Sequence, residues 1–172
     1  MHEWMRMSVL ALPLIATVAG SDLQAQGAGN PACGLLTAAD LEQATGQSYD
    51  APSPGDGMGE GAGGGASCQW GDPAGQDLPM ISVVFIPSNG KKGYTEVSRG
   101  FKAQPGCARE PVSGLGDDGF VETCPGGRGP TVYFRKGRND GIVQVDVIKP
   151  ATPASVKPKA IALAKAVVTH LP

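Results

Sequence analysis

Residues 131–148, TVYFRKGRNDGIVQVDVI, set two runs of β-branched and aromatic residues on either side of a cluster of turn formers. Residues 131–135 and 142–148 alternate in the manner of half-buried strands, and Gly137, Arg138, Asn139, Asp140 and Gly141 join them, so the stretch predicts a hairpin. Val143, Val145 and Val147 share one face, while Gln144 and Asp146 share the other. An antiparallel sheet with one apolar face needs something packed against that face.

Working outward, the carboxyl side supplies a partner. Residues 155–171 place Val156, Ala160, Leu163, Ala164, Val167 and Leu171 at helical spacing, with Pro158 expected in the first turn and His170 at the end where a cation suits the helix dipole. On the amino side, residues 80–86 (MISVVFI) read as the strongest strand, and their near-continuous apolarity predicts a central position covered on both faces. Residues 68–71 (CQWG) predict a short strand that buries Trp70, and residues 120–123 predict another. Tyr94, Val97 and Phe101 mark a second helix over residues 90–102. A first helix begins after Thr37, whose hydroxyl caps it with Asp40 three residues on; Leu36 and Leu41 form a staple and Gly46 stops it. Between these elements, residues 52–66 are punctuated by Gly and Pro and predict a disordered loop inside one domain. The GxGxxG string at residues 59–64 neither follows a strand nor opens a helix, so it does not predict a phosphate cradle. The order of elements predicts an α+β fold with helices packed on an antiparallel sheet.

The first 25 residues read as an export signal: Arg6 in the head, an apolar run over residues 7–20, then a polar stretch to Ala25. The apolar run is short for a membrane span. Cleavage there leaves a lead at residues 26–32 and a single domain at residues 33–172, roughly 150 residues in all, enough for one core. Asn30, Pro31 and Ala32 before Cys33 do not resemble a lipid-attachment site, so the expectation is a periplasmic or extracellular protein without a lipid anchor. The whole chain carries 14 Lys and Arg against 16 Asp and Glu, which argues against nucleic acid as a partner.

Four cysteines in an exported chain are read first as disulfides. Three pairings are formally possible. Cys107 and Cys124 lie among Gly and Pro where the chain doubles back, and Cys33 and Cys68 bracket the first helix and a loop, so the expected pairs are Cys33 with Cys68 and Cys107 with Cys124. Each contributes about 3–4 kcal/mol in the loop-entropy account. A zinc site of four cysteines would need a close CxxC pair, and none is present.

Residues 33–37 (CGLLT) opening a helix, residues 68–70 (CQW) on an early strand, residues 112–116 (VSGLG) before a strand and the long final helix carry a resemblance over residues 33–171. The chain resembles an uncharacterised secreted domain family common among actinobacterial lipoproteins. More distantly it is similar to the PsbP-type α+β sandwich and to the extracellular sensor domain of a mycobacterial receptor kinase. The resemblance implies a paired first and second cysteine and a cell-envelope location.

No motif for a catalytic nucleophile, metal or cofactor stands out. A histidine-dependent hydrolase would have to recruit His170, and GxSxG is absent. Asp117, Asp118 and Glu122 match no calcium loop. The hairpin carries Arg135, Lys136 and Arg138 with Tyr133 nearby, residue types enriched at binding hot spots. The resulting expectation is a non-enzymatic envelope protein that needs no cofactor and binds a protein partner, regulator or inhibitor-like, through a sheet face or its loops. A small-ligand carrier or sensor is the second reading. A histidine-independent hydrolase using Glu110, Asp117 or Glu122 is the third.

Overall fold

The structure is a computed structural model, and it describes residues 29–55, 65–71, 79–87, 95 and 105–171. The expected export signal, most of the Gly-rich loop and the expected helix of Tyr94, Val97 and Phe101 lie outside these residues. Among the described residues, seven strands form one sheet: β1 (Ser53–Pro54), β2 (Ala66–Trp70), β3 (Ile81–Pro87), β4 (Ala108–Pro111), β5 (Asp118–Thr123), β6 (Thr131–Lys136) and β7 (Asn139–Val145). Their order is β1-β2-β3-β7-β6-β5-β4, with every neighbouring pair antiparallel. Helices α1 (Ala38–Thr45) and α2 (Pro153–His170) complete an α+β fold. Both expected disulfides are present, Cys33–Cys68 and Cys107–Cys124.

The register explains how the core fills. One row crosses the sheet through Cys68, Val83, Val143, Val132 and Val121 to Glu110. The four valines are essentially inaccessible, and α2 covers β5, β6 and β7 with Val156, Ala160, Leu163, Ala164 and Val167, all buried. Both ends of the row are tied down: Cys68 to Cys33 ahead of α1, and Glu110 by an ion pair to Lys157 of α2, 2.8 Å. The next row on this face reads Ala66, Phe85, Gly141, Phe134, Gly119, Val112, alternating small with large. A Cβ on Gly141 would overlap the Phe134 ring, and one on Gly119 would meet Leu115.

Helix α1 forms as its residues dictate. Asp40 N–H donates to the Thr37 hydroxyl at 3.2 Å, Thr37 N–H donates to Asp40 Oδ2 at 2.8 Å, and Gly46 ends the helix at φ +74°. Leu36 and Leu41 are both buried.

Several boundaries differ from the sequence reading. The hairpin turn is only Gly137 and Arg138, because Lys136 already pairs with Asn139, Arg135 with Asp140 and Phe134 with Gly141. Asp140 is drawn fully inside: its Oδ1 accepts from Thr95 N–H at 2.9 Å, while the Thr95 hydroxyl donates to Phe134 O at 2.8 Å. Thr95 is itself helical. The centre of the sheet is β7, with β3 one place off it, and on β3 Ile81, Val83 and Ile86 are buried while Ser82, Val84 and Phe85 are half-buried. Helix α2 starts at Pro153, capped by Thr152, so Pro158 stands past the first turn. Ser53–Pro54 and Ala66, which fall in the loop expected over residues 52–66, are strand residues, and β4 arises in a stretch for which the sequence predicts no element.

Candidate functional site

The hairpin side chains divide by the period of two in a strand. Thr131, Tyr133 and Arg135 point to the face opposite the helices. Lys136 points the other way, where its Nζ donates to Leu171 O at 2.6 Å and Val168 O at 3.2 Å, satisfying carbonyls at the end of α2. Arg138 stands exposed at the turn, and Arg135 Nε donates to Gly137 O at 3.3 Å. Tyr133 stacks on Phe120 with ring centroids 4.6 Å apart, and Arg109 lies over the Phe120 ring at 5.2 Å. Tyr133 and Arg135 therefore share a face, while Lys136 belongs to the helix packing.

That second face changes character from one row to the next. Nearest Thr95 run Ile86, Asp140, Arg135 and Asp118, with Ile86 and Asp140 buried. The following row is Ser67, Val84, Ile142, Tyr133, Phe120 and Pro111. Then comes a wholly polar row across all seven strands: Ser53, Gln69, Ser82, Gln144, Thr131, Glu122 and Arg109. Six of these residues are half-buried and Ser53 is exposed. At strand spacing the row spans roughly 30 Å. Its charges are internally matched: Arg109 Nε pairs with Glu122 Oε2, and beside the row Asp146 accepts from Arg128 at 3.1 Å and from Gln144 at 3.0 Å. The row presents hydrogen-bonding groups with little net charge. Single residues of it are visible in the sequence, but only the register lines them up.

On the helix side, an open cavity of about 390 Å³ lies between the β4–β5 edge and the start of α2. Ala108, Glu110, Thr123 and Cys124 face Thr152, Pro153, Ala154 and Lys157 across it.

The residues weighed for catalysis are scattered. Asp117 Oδ2 accepts from Gly137 N–H at 2.6 Å, Glu122 pairs with Arg109, and Glu110 pairs with Lys157. His170 Nε2 lies 3.1 Å from Asp40 Oδ2, which also accepts the Thr37 hydroxyl proton at 2.6 Å. The carboxylate thus sits between imidazole and hydroxyl, an order in which the ring cannot take the hydroxyl proton. Partial burial pushes the Asp40 carboxyl up, yet the Thr37 hydroxyl, the Thr37 amide and His170 together hold it below the ordinary 3.8. Among the described residues, no three of His, Cys, Asp and Glu gather as metal ligands, and no helix is long and apolar enough to cross a membrane.

No protein-family model, curated protein or solved structure matches this chain.

Proposed function

We propose that the chain is an exported cell-envelope protein without catalytic activity of its own, and that it binds a protein partner through the second face of its sheet. The polar row from Ser53 to Arg109 is the observation that carries this reading. Seven strands contribute one hydrogen-bonding side chain each, beside the Phe120–Tyr133 stack, a mixture of polar groups and aromatic area suited to a wet protein interface. Export is supported by the two disulfides, which persist in oxidising compartments, together with the amino-terminal apolar run.

Capture from the native envelope with tagged protein tests the reading. Wild type should retain a stoichiometric protein, and a Gln69→Lys, Ser82→Lys, Gln144→Lys variant should lose it while keeping its melting temperature. Because the row's charges are already paired, retention should change less than about threefold between 50 and 300 mM salt, which rules on the type of contact. Retention by both proteins, or by neither, rejects this face.

The cavity beside α2 favours a second reading, a small-ligand carrier, since its volume lies within the range of ligand sites. Native mass spectrometry of protein purified without denaturant should then show a bound small molecule, and a bare mass contradicts it.

A further inference from the structure

The two disulfides occupy opposite environments. Cys33 and Cys68 are buried within the main core, 6% and 0% exposed, in one cluster with Trp70 and Leu41. Cys107 and Cys124 lie outside that core and are half-buried, flanked by exposed Pro105, Gly106, Pro125, Gly126 and Gly127. Cys124 also borders the open cavity, and Cys107 does not. The bond stands one rung beyond the Ala108–Thr123 pair, at the end of edge strand β4. Thiol–disulfide exchange requires in-line access of a thiolate to one sulfur, so accessibility separates the two bonds.

We propose that Cys107–Cys124 is a site of thiol–disulfide exchange with a dithiol, entered from the cavity, whereas Cys33–Cys68 is inert in the folded protein. A thiolate of the dithiol attacks the Cys124 sulfur, forming a mixed disulfide and expelling Cys107 as a thiolate that takes up a proton. The second thiol of the dithiol, deprotonated, then attacks its own sulfur in the mixed disulfide and releases the Cys124 thiolate. Two electrons pass to the protein, which ends as a dithiol, and the reductant ends as a disulfide. Reduction removes one of the ties on β4, leaving its ladder to β5, the Arg109–Glu122 pair and the Glu110–Lys157 pair among the described residues. This inference does not depend on the partner-binding reading, since exchange is measurable on the isolated protein.

The test is timed reduction of the folded full chain with dithiothreitol in native buffer, quenched by alkylation and mapped by peptide mass. Cys107 and Cys124 should be modified at least 10-fold faster than Cys33 and Cys68, with far-ultraviolet circular dichroism unchanged. Hydrogen exchange should quicken in residues 105–125 and stay constant in β3 and β7. Simultaneous reduction of both bonds, earlier reduction of Cys33–Cys68, or resistance of Cys107–Cys124 until the protein is unfolded in urea overturns the proposal. The attacked sulfur is read separately from single variants. The free Cys124 thiol of Cys107→Ser should react with oxidised glutathione faster than the free Cys107 thiol of Cys124→Ser, and equal or reversed rates refute entry from the cavity.

Discussion

At Gly141 the absence of a side chain is what admits the Phe134 ring, which is fully buried against the neighbouring strand. Gly141→Ala therefore forces either the ring or the β6–β7 ladder to move, and overpacking of this kind costs about 1–3 kcal/mol. Urea unfolding should show that loss with an unchanged m-value. Asp40 makes a different contribution, because its carboxylate joins the Thr37 cap to His170 on the neighbouring helix. Its folded-state value lies below 3.8, so its stabilisation is complete above about pH 4 and is lost as pH falls through the lowered value. Acid titration of stability should show this component in wild type. In Asp40→Asn it should be missing, and the variant should be weaker at pH 7 by about 1 kcal/mol through the impaired cap.

Among the elements, the two sheet edges solve one problem alike. Gly55 N–H donates to Ser67 O, and Val112 N–H donates to Gly119 O, which fixes the bonded positions on β1 and β4. By alternation, Pro54 and Pro111 then fall where a backbone N–H would point outward, so each proline removes a donor that the sheet does not use. Neither edge invites a further strand. Pro111→Val restores that donor on β4; stability should stay within about 0.5 kcal/mol, while sedimentation at high concentration should reveal self-association absent from wild type. Helix α1 was legible because Thr37, Asp40 and Gly46 are local signals, and α2 because its apolar stripe runs unbroken for four turns. Strand β4 was not, since AREP has neither alternation nor β-branched residues and is held by its ladder to β5 and the adjoining disulfide. The hairpin is legible in the sequence but the length of its turn is not: Asn139, Asp140 and Gly141 look like turn formers, yet Thr95 and Phe134, distant or across the strand, draw them into β7.

For the whole molecule, the sheet has two unlike faces. One is covered by α2 over the valine row, with α1 packed against α2 and Leu41 in the same core, and its ends are fastened by Cys33–Cys68 and by Glu110–Lys157. The other passes from the buried Asp140 and Thr95 to the polar row of Gln69, Ser82, Gln144 and Thr131. The row was hidden from the sequence because its members come from seven strands whose pairing is non-local. Of the basic cluster singled out on the hairpin, register sends Lys136 to α2 and Arg135 to the second face. On the proposed function, partner contact belongs to that face and structural support to the helices. Site-specific photocrosslinking in the native envelope compares them directly, with the probe at position 144 on the polar row or at exposed position 162 on α2. One discrete crosslinked protein from position 144 and none from position 162 is the expected result; crosslinks from position 162 alone, or from neither, would contradict partner binding through this face.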